Sequence, residues 1–260
     1  PVSCSQNNGF KLRPEDLETA ITPRTKWLIL NSPSNPTGAA YSRDELKGLT
    51  DVLVHHPNVW VMTDDMYEHL VYDDFKFTTP AQVEPKLYNR TLTVNGVSKA
   101  YAMTGWRIGY AGGPEALIHA MATVQSQSTS NPCSVSQAAA VAALEGPQEF
   151  LRPRAQEFQA RRDRALELLR AVPGLTCRAP EGAFYLYPDC SGLIGRRRPD
   201  GDPIRSDDDV ARYLLDHARV AVVQGSAYDL SPYFRISIAA SMDRIEAAIR
   251  RIAETVEALR

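Results

Sequence analysis

The chain has 260 residues, 43% hydrophobic and 23% charged, with a formal charge of −2. That is ordinary globular composition, with length for one large or two modest domains. The near-neutral charge gives no electrostatic footing for nucleic acid or an anionic membrane, and no apolar run reaches the length of a membrane-spanning helix.

Four cysteines, Cys4, Cys133, Cys177 and Cys190, lie apart without metal-ligand spacing and read as reduced thiols of a cytosolic protein. The histidines His55, His56, His69, His119 and His217 form no HExxH-type pair, so no metal site is expected. The chain opens Pro-Val-Ser-Cys-Ser, without methionine or a secretory signal. A processed terminus and a cut inside a longer protein both fit that start.

Residues 12–21 carry a proline and acids in their first turn, which starts a helix. Residues 25–30, TKWLIL, form a short continuous apolar run ending at Asn31, the pattern of a strand covered on both faces. Ser42 and Glu45 have capping-box spacing ahead of a second helix. Strand patterns recur at 58–63, stopping at Asp64-Asp65, and at 91–97, stopping at Ser98-Lys99. Residues 107–113 suit one more strand and 114–125 a helix. The polar stretch 126–132, beside Cys133, reads as a loop between domains.

From Gly146-Pro147 the character changes. A long charged helix is expected over 151–172, with Leu151, Phe158, Ala165, Leu168 and Leu169 on its apolar side. Strand patterns follow within 177–188, at 220–225 and at 233–239, and 195–209 reads as a polar surface loop. Ser241 then caps a last helix whose Ile245, Ile249, Ile252, Val256 and Leu259 make one apolar stripe. Strands alternating with helices predict an α/β fold with a mostly parallel sheet in a large domain, 1–150, and a smaller α/β C-terminal domain, 151–260. Ligands of such sheets bind beyond the strands' carboxyl ends, where Asn35, Asp64 and Lys99 would converge.

A lone lysine is usually a surface charge. Lys99 stands at a strand end, with Arg107 eight positions later. An amine partly desolvated in a crevice among other cations is a nucleophile that forms a Schiff base with a carbonyl. Pyridoxal phosphate is the cofactor that most often uses such a lysine. Its phosphate needs a bidentate donor, for which Arg107 is a candidate. An acid at its ring nitrogen could be Asp64, and donors to its ring oxygen could be Asn35 and Tyr67. Taken singly, Asn35-Pro36-Thr37-Gly38 is also a common turn, Asp64-Asp65 a strand-end turn or cap, and Tyr67 a core tyrosine. Arg235, inside an apolar strand, demands a partner.

In one order and at matching separations, Asn35-Pro36-Thr37-Gly38, Asp64-Asp65-Met66-Tyr67, Ser98-Lys99 with Arg107, and Phe234-Arg235-Ile236-Ser237 resemble the class I, fold-type I, pyridoxal-phosphate-dependent aminotransferases. The likeness runs from Pro1 to Arg260 and is greatest to bacterial aspartate aminotransferases of the aspartate/prephenate subgroup. It implies that Lys99 carries pyridoxal 5′-phosphate and is the catalytic base and acid. It implies that Asp64 meets the ring nitrogen, Tyr67 and Asn35 the ring oxygen, and Arg107 and Ser98 the phosphate. Arg235, with Asn35 beside it, would grip the substrate α-carboxylate, and the Asn35-Pro36 bond would be cis. Gly96 departs from relatives that place a phosphate-touching serine there. The resemblance implies a homodimer acting on small amino and 2-oxo acids, while composition and cysteine usage point to a cytoplasmic protein with neither nucleic acid nor membrane as partner. The expected reaction is L-aspartate with 2-oxoglutarate, with aromatic or prephenate amino transfer, a lyase reaction, or a non-catalytic fragment as alternatives. The N-terminal part of family members has no counterpart here, so the chain is expected to be the C-terminal portion of such an enzyme.

Overall fold

The computed structural model describes residues 1–260. In chain order the elements are α1 (Pro14–Ala20), β1 (Trp27–Asn31), α2 (Arg43–Val54), β2 (Trp60–Asp64), the short α3 (Pro80–Val83), β3 (Thr91–Gly96) and β4 (Gly109–Gly112). Then come α4 (Glu115–Ser128), α5 (Ser134–Glu145), α6 (Leu151–Arg170), β5 (Tyr185–Leu186), α7 (Asp207–Tyr213), β6 (Val223–Gln224), β7 (Phe234–Ser237) and α8 (Met242–Glu257).

The first sheet has the order β1-β2-β3-β4. The three N-terminal strands are parallel, with Asn31 opposite Asp64 and Asp64 opposite Val94, so their carboxyl ends share one edge. β4 runs antiparallel to β3, Gly96 facing Gly109. Only residues 97–108 separate the two strands, and no helical crossover lies there to carry the chain back to the other end. Arg107 therefore stands at the edge where Asp64 and Lys99 stand.

The capping box forms as its spacing predicts. Ser42 Oγ accepts from the Glu45 amide at 3.3 Å and Glu45 Oε2 from the Ser42 amide at 2.7 Å. It starts α2, whose Leu46, Leu49 and Leu53 pack with Leu17, Leu30, Val61 and Leu87 into one apolar cluster. A second, larger cluster draws on α6, α7, α8, β5 and β7. The stripe on α8 is buried along its length, each aliphatic side chain contributing about 1.5–3 kcal/mol. The second sheet, β5-β7-β6, is antiparallel throughout.

Several sequence expectations are corrected. β1 is not covered on both faces: Leu30 is buried but Ile29 is 63% exposed, because α1 and α2 pack on one side only. The stretch 126–132 is not wholly loop, since α4 runs through Ser128, and α5 follows it without having been anticipated. The polar segment 195–209 ends in a helix: Ser206 caps α7, and Asp207, Asp208 and Asp209 fill its first turn, where carboxylates meet free amides. Ser241 stands at the start of α8 without a side-chain capping bond.

Two contacts fix α6 and the chain after it against the first sheet. The Arg162 side chain, 3% exposed as a residue, donates to Asp73 Oδ2 at 2.6 Å and to the Pro180 carbonyl at 3.0 Å, and lies over the Tyr72 ring. Lys11 Nζ stands 2.9 Å from Glu45 and 3.5 Å from Glu181. No helix is long and apolar enough to cross a membrane, no side-chain cluster could hold a metal ion, and all four cysteines are free.

Candidate active site

The site is built on the carboxyl edge of the parallel strands. Asn31, the last residue of β1, ties two of its parts together. Its Nδ2 donates to the Asp64 carbonyl at 3.0 Å, and its Oδ1 accepts from the Asn35 amide at 2.7 Å. The Asn35-Pro36 bond is cis, as the resemblance implied. Gly38 closes this turn with φ +70°, and a Cβ there would lie 2.5 Å from Pro180 Cβ and 2.6 Å from the Gly182 carbonyl, so only glycine fits.

From the second sheet, Arg235 on β7 reaches across to Asn35. Its Nη1 donates to Asn35 Oδ1 at 2.7 Å. The guanidinium carbon lies 4.7 Å from the Tyr185 ring centre and 5.5 Å from that of Tyr228. Two aromatic faces and one amide thus orient the planar cation. Because Asn35 Oδ1 is occupied, its Nδ2 hydrogens are left to donate elsewhere.

Tyr67, buried just past β2, shares a 2.9 Å hydrogen bond with the Tyr185 hydroxyl. Burial, then that bond, then the nearby Asp64 and Tyr185 push its phenol up from the ordinary value, with Arg235 opposing. Tyr67 also packs edge-on against Phe184, and Lys99 Nζ lies 5.6 Å from the Phe184 ring centre. Asp64 Oδ1 accepts from the Met66 amide at 3.2 Å, which holds the strand-end turn.

The structure therefore links Asn35 to Arg235 directly, and Lys99 to Tyr67 through Phe184, with Asp64 close by. It does not bring Arg107 or Ser98 into contact with them. Arg107 is exposed in a left-handed conformation, φ 56°, its Nη1 donating to the Thr104 carbonyl at 3.0 Å, and Ser98 is half-buried before Lys99. At Gly96 a Cβ would meet the Met66 methyl at 2.9 Å and the Ile108 carbonyl at 3.0 Å, which is the local reason for glycine there.

Sequence reasoning missed Asn31, Phe184, Tyr185 and Tyr228. The alternation Phe184-Tyr185-Leu186-Tyr187 carried a signal, since it sends the two tyrosines to one face. Asp65 was passed over as well. It is 3% exposed, accepts from the Thr63 hydroxyl, and burial pushes its carboxyl up to about 6.

The donor set fits pyridoxal phosphate. Lys99 and Arg107 stand at the carboxyl edge of the parallel strands, Arg235 reaches Asn35 there from the second sheet, and none of the three is in the chain's ion pairs. Three cations without carboxylate partners suit an anionic ligand, and the carboxylate of Asp64 beside them suits a protonated ring nitrogen.

Comparison with known proteins gives the family. The sequence model of a family described as aminotransferase class I and II matches residues 1–252. An aspartate aminotransferase of Rhizobium meliloti is 60% identical over 99% of this chain and 63% of its own length. An aspartate/prephenate aminotransferase of Cereibacter sphaeroides is 61% identical over 96% and 63%. The chain thus spans 63% of the length of these curated relatives. A crystal structure of the Rhizobium meliloti aspartate aminotransferase superposes with a TM-score of 0.97 at 60% identity, covering 99% of this chain and 64% of that one. That of an aromatic aminotransferase from Pyrococcus horikoshii superposes at 0.88 with 33% identity, covering 98% and 66%.

Proposed function

We propose, on the premise that this chain belongs to the class I and II aminotransferase family, that it forms most of a pyridoxal-phosphate-dependent enzyme that transfers the amino group of L-aspartate to 2-oxoglutarate. The products are oxaloacetate and L-glutamate. The observation that carries this reading is the placement of Lys99 and Arg107, neither in an ion pair, at the carboxyl edge of the parallel strands where Asp64 stands, with Arg235 reaching Asn35 at that edge from the second sheet. The likeness to fold-type I aminotransferases, with an α/β fold and a mostly parallel sheet, supports it.

When bound, pyridoxal phosphate supplies the electron sink that makes the amino-acid Cα–H acidic. Lys99 Nζ would be its covalent anchor, and the same amine would be the base that takes the Cα proton and the acid that returns it. Asp64 holds a proton at the ring nitrogen. Tyr67 Oη and Asn35 Nδ2 donate toward the ring oxygen. The Arg107 guanidinium would bind the phosphate, with Ser98 as a further donor. The Arg235 fork, braced by Asn35, Tyr185 and Tyr228, receives the α-carboxylate.

Arg235 recognises a group common to all amino acids, so it does not select aspartate. The relative named aspartate/prephenate aminotransferase favours a second reading, in which a related oxo acid shares the site. We further propose residues 1–150 and 151–260 as two domains, in keeping with the two apolar clusters, and a cytoplasmic homodimer for the full-length protein.

The test is borohydride reduction of the full-length protein with pyridoxal phosphate, followed by peptide mass mapping. A pyridoxyl mass on the Lys99 peptide is expected, and its absence with a folded protein would refute the assignment. A panel of aspartate, aromatic and prephenate-derived donors then identifies the substrate by product analysis.

A further inference from the structure

Tyr185 stands where the substrate end and the cofactor end of the site meet. It lies on β5, directly opposite Ser237 of β7. Arg235 is two residues before Ser237 on that strand, hence on the same face and a diagonal neighbour of Tyr185. The ring of Tyr185 carries the Arg235 guanidinium at 4.7 Å, and its hydroxyl is 2.9 Å from that of Tyr67. The residue is 6% exposed, and its ring packs at 4.8 Å on Phe184, the aromatic beneath Lys99.

A phenol has one proton to donate. If Tyr67 donates its proton to the ring oxygen, its own oxygen is left to accept, and only Tyr185 is in place to donate to it. The geometry points to Tyr185 as a positioning residue for transamination, one whose O–H donates to Tyr67 Oη and so strengthens the bond from Tyr67 to the cofactor's ring oxygen, while its ring orients Arg235 for the substrate carboxylate. This rests on the reading under Proposed function. In buried surroundings such a chain of O–H bonds polarises along its length, so each bond strengthens the next. Burial also keeps Tyr67 a neutral phenol, hence a donor, across the working pH range. The charged groups facing the pair are Asp64 and Arg235.

The experiment uses the full-length protein loaded with pyridoxal phosphate, as wild type, Tyr67→Phe, Tyr185→Phe and the double variant. The quantity read is the pH midpoint of the cofactor's visible absorption change. A donor to the ring oxygen stabilises its anionic form and so loosens the proton held nearby. Tyr67→Phe is expected to raise the midpoint by about 1–2 units. Tyr185→Phe is expected to raise it by about a few tenths of a unit, and to add nothing in the Tyr67→Phe background. Replacing Tyr185 by 3-fluorotyrosine, a stronger donor of the same shape, is expected to lower the midpoint. It provides the test if the phenylalanine variant fails to fold. An unmoved midpoint in a folded Tyr185 variant, or an equal shift with Tyr67 already removed, overturns the proposal. A folded wild-type protein that takes up no cofactor overturns the functional reading beneath it, which separates the two failures.

Discussion

Asp65→Asn is expected to make stability respond less to pH. The wild-type carboxyl is buried beside Asp64 and titrates at about 6 in the folded protein against 3.8 for a free aspartate. A folded-state value raised above the unfolded one means that protonation favours folding. The group's stabilising contribution is fully present below the unfolded value and is lost as pH rises through the folded one. About two units correspond to about 3 kcal/mol in total, of which about 2 kcal/mol falls between about pH 4.5 and about pH 7.5. The asparagine variant has no charge to bury, and its carbonyl oxygen can still accept from Thr63. Urea unfolding of both proteins at the two pH values measures the difference. Relative to the variant, wild type should lose about 2 kcal/mol on going from the lower to the higher pH. A difference between the two proteins that does not change with pH would refute the reasoning.

Arg235→Lys keeps the charge but loses the planar fork, so it should lower kcat/KM for the amino donor by about 10- to 100-fold, mainly through KM, in steady-state kinetics. Arg107→Ala should raise the cofactor dissociation constant by about 10- to 100-fold, read by equilibrium titration, and an unchanged constant would argue against its phosphate role. Lys99→Ala should abolish transamination in a coupled assay, and retained turnover would sink the site. Gly38→Ala should destabilise by about 1–3 kcal/mol in chemical unfolding, since the left-handed turn and the contact with Pro180 both exclude a Cβ.

The sequence by itself determined the parallel strands, the capping box on α2 and the stripe of α8, because each is a local pattern whose period or spacing is read directly from the chain. It also nominated the candidate set Asn35, Asp64, Tyr67, Ser98, Lys99, Arg107 and Arg235, since a motif order is read without coordinates. It gave no warning of α5: Ser134–Glu145 is rich in alanine, which serves a helix well but makes no strong apolar stripe. Nor did it reveal α7, whose three aspartates look like loop until Ser206 is seen capping them. What only the tertiary structure decided is which side chains meet across long stretches of sequence. Asn35 and Arg235 share a hydrogen bond, as do Tyr67 and Tyr185, because the second sheet is laid against the carboxyl edge of the first. Their pairing depends on the packing of whole elements, held in part by Arg162 on Asp73 and by Lys11 between Glu45 and Glu181, and no local period in the chain encodes such a distance.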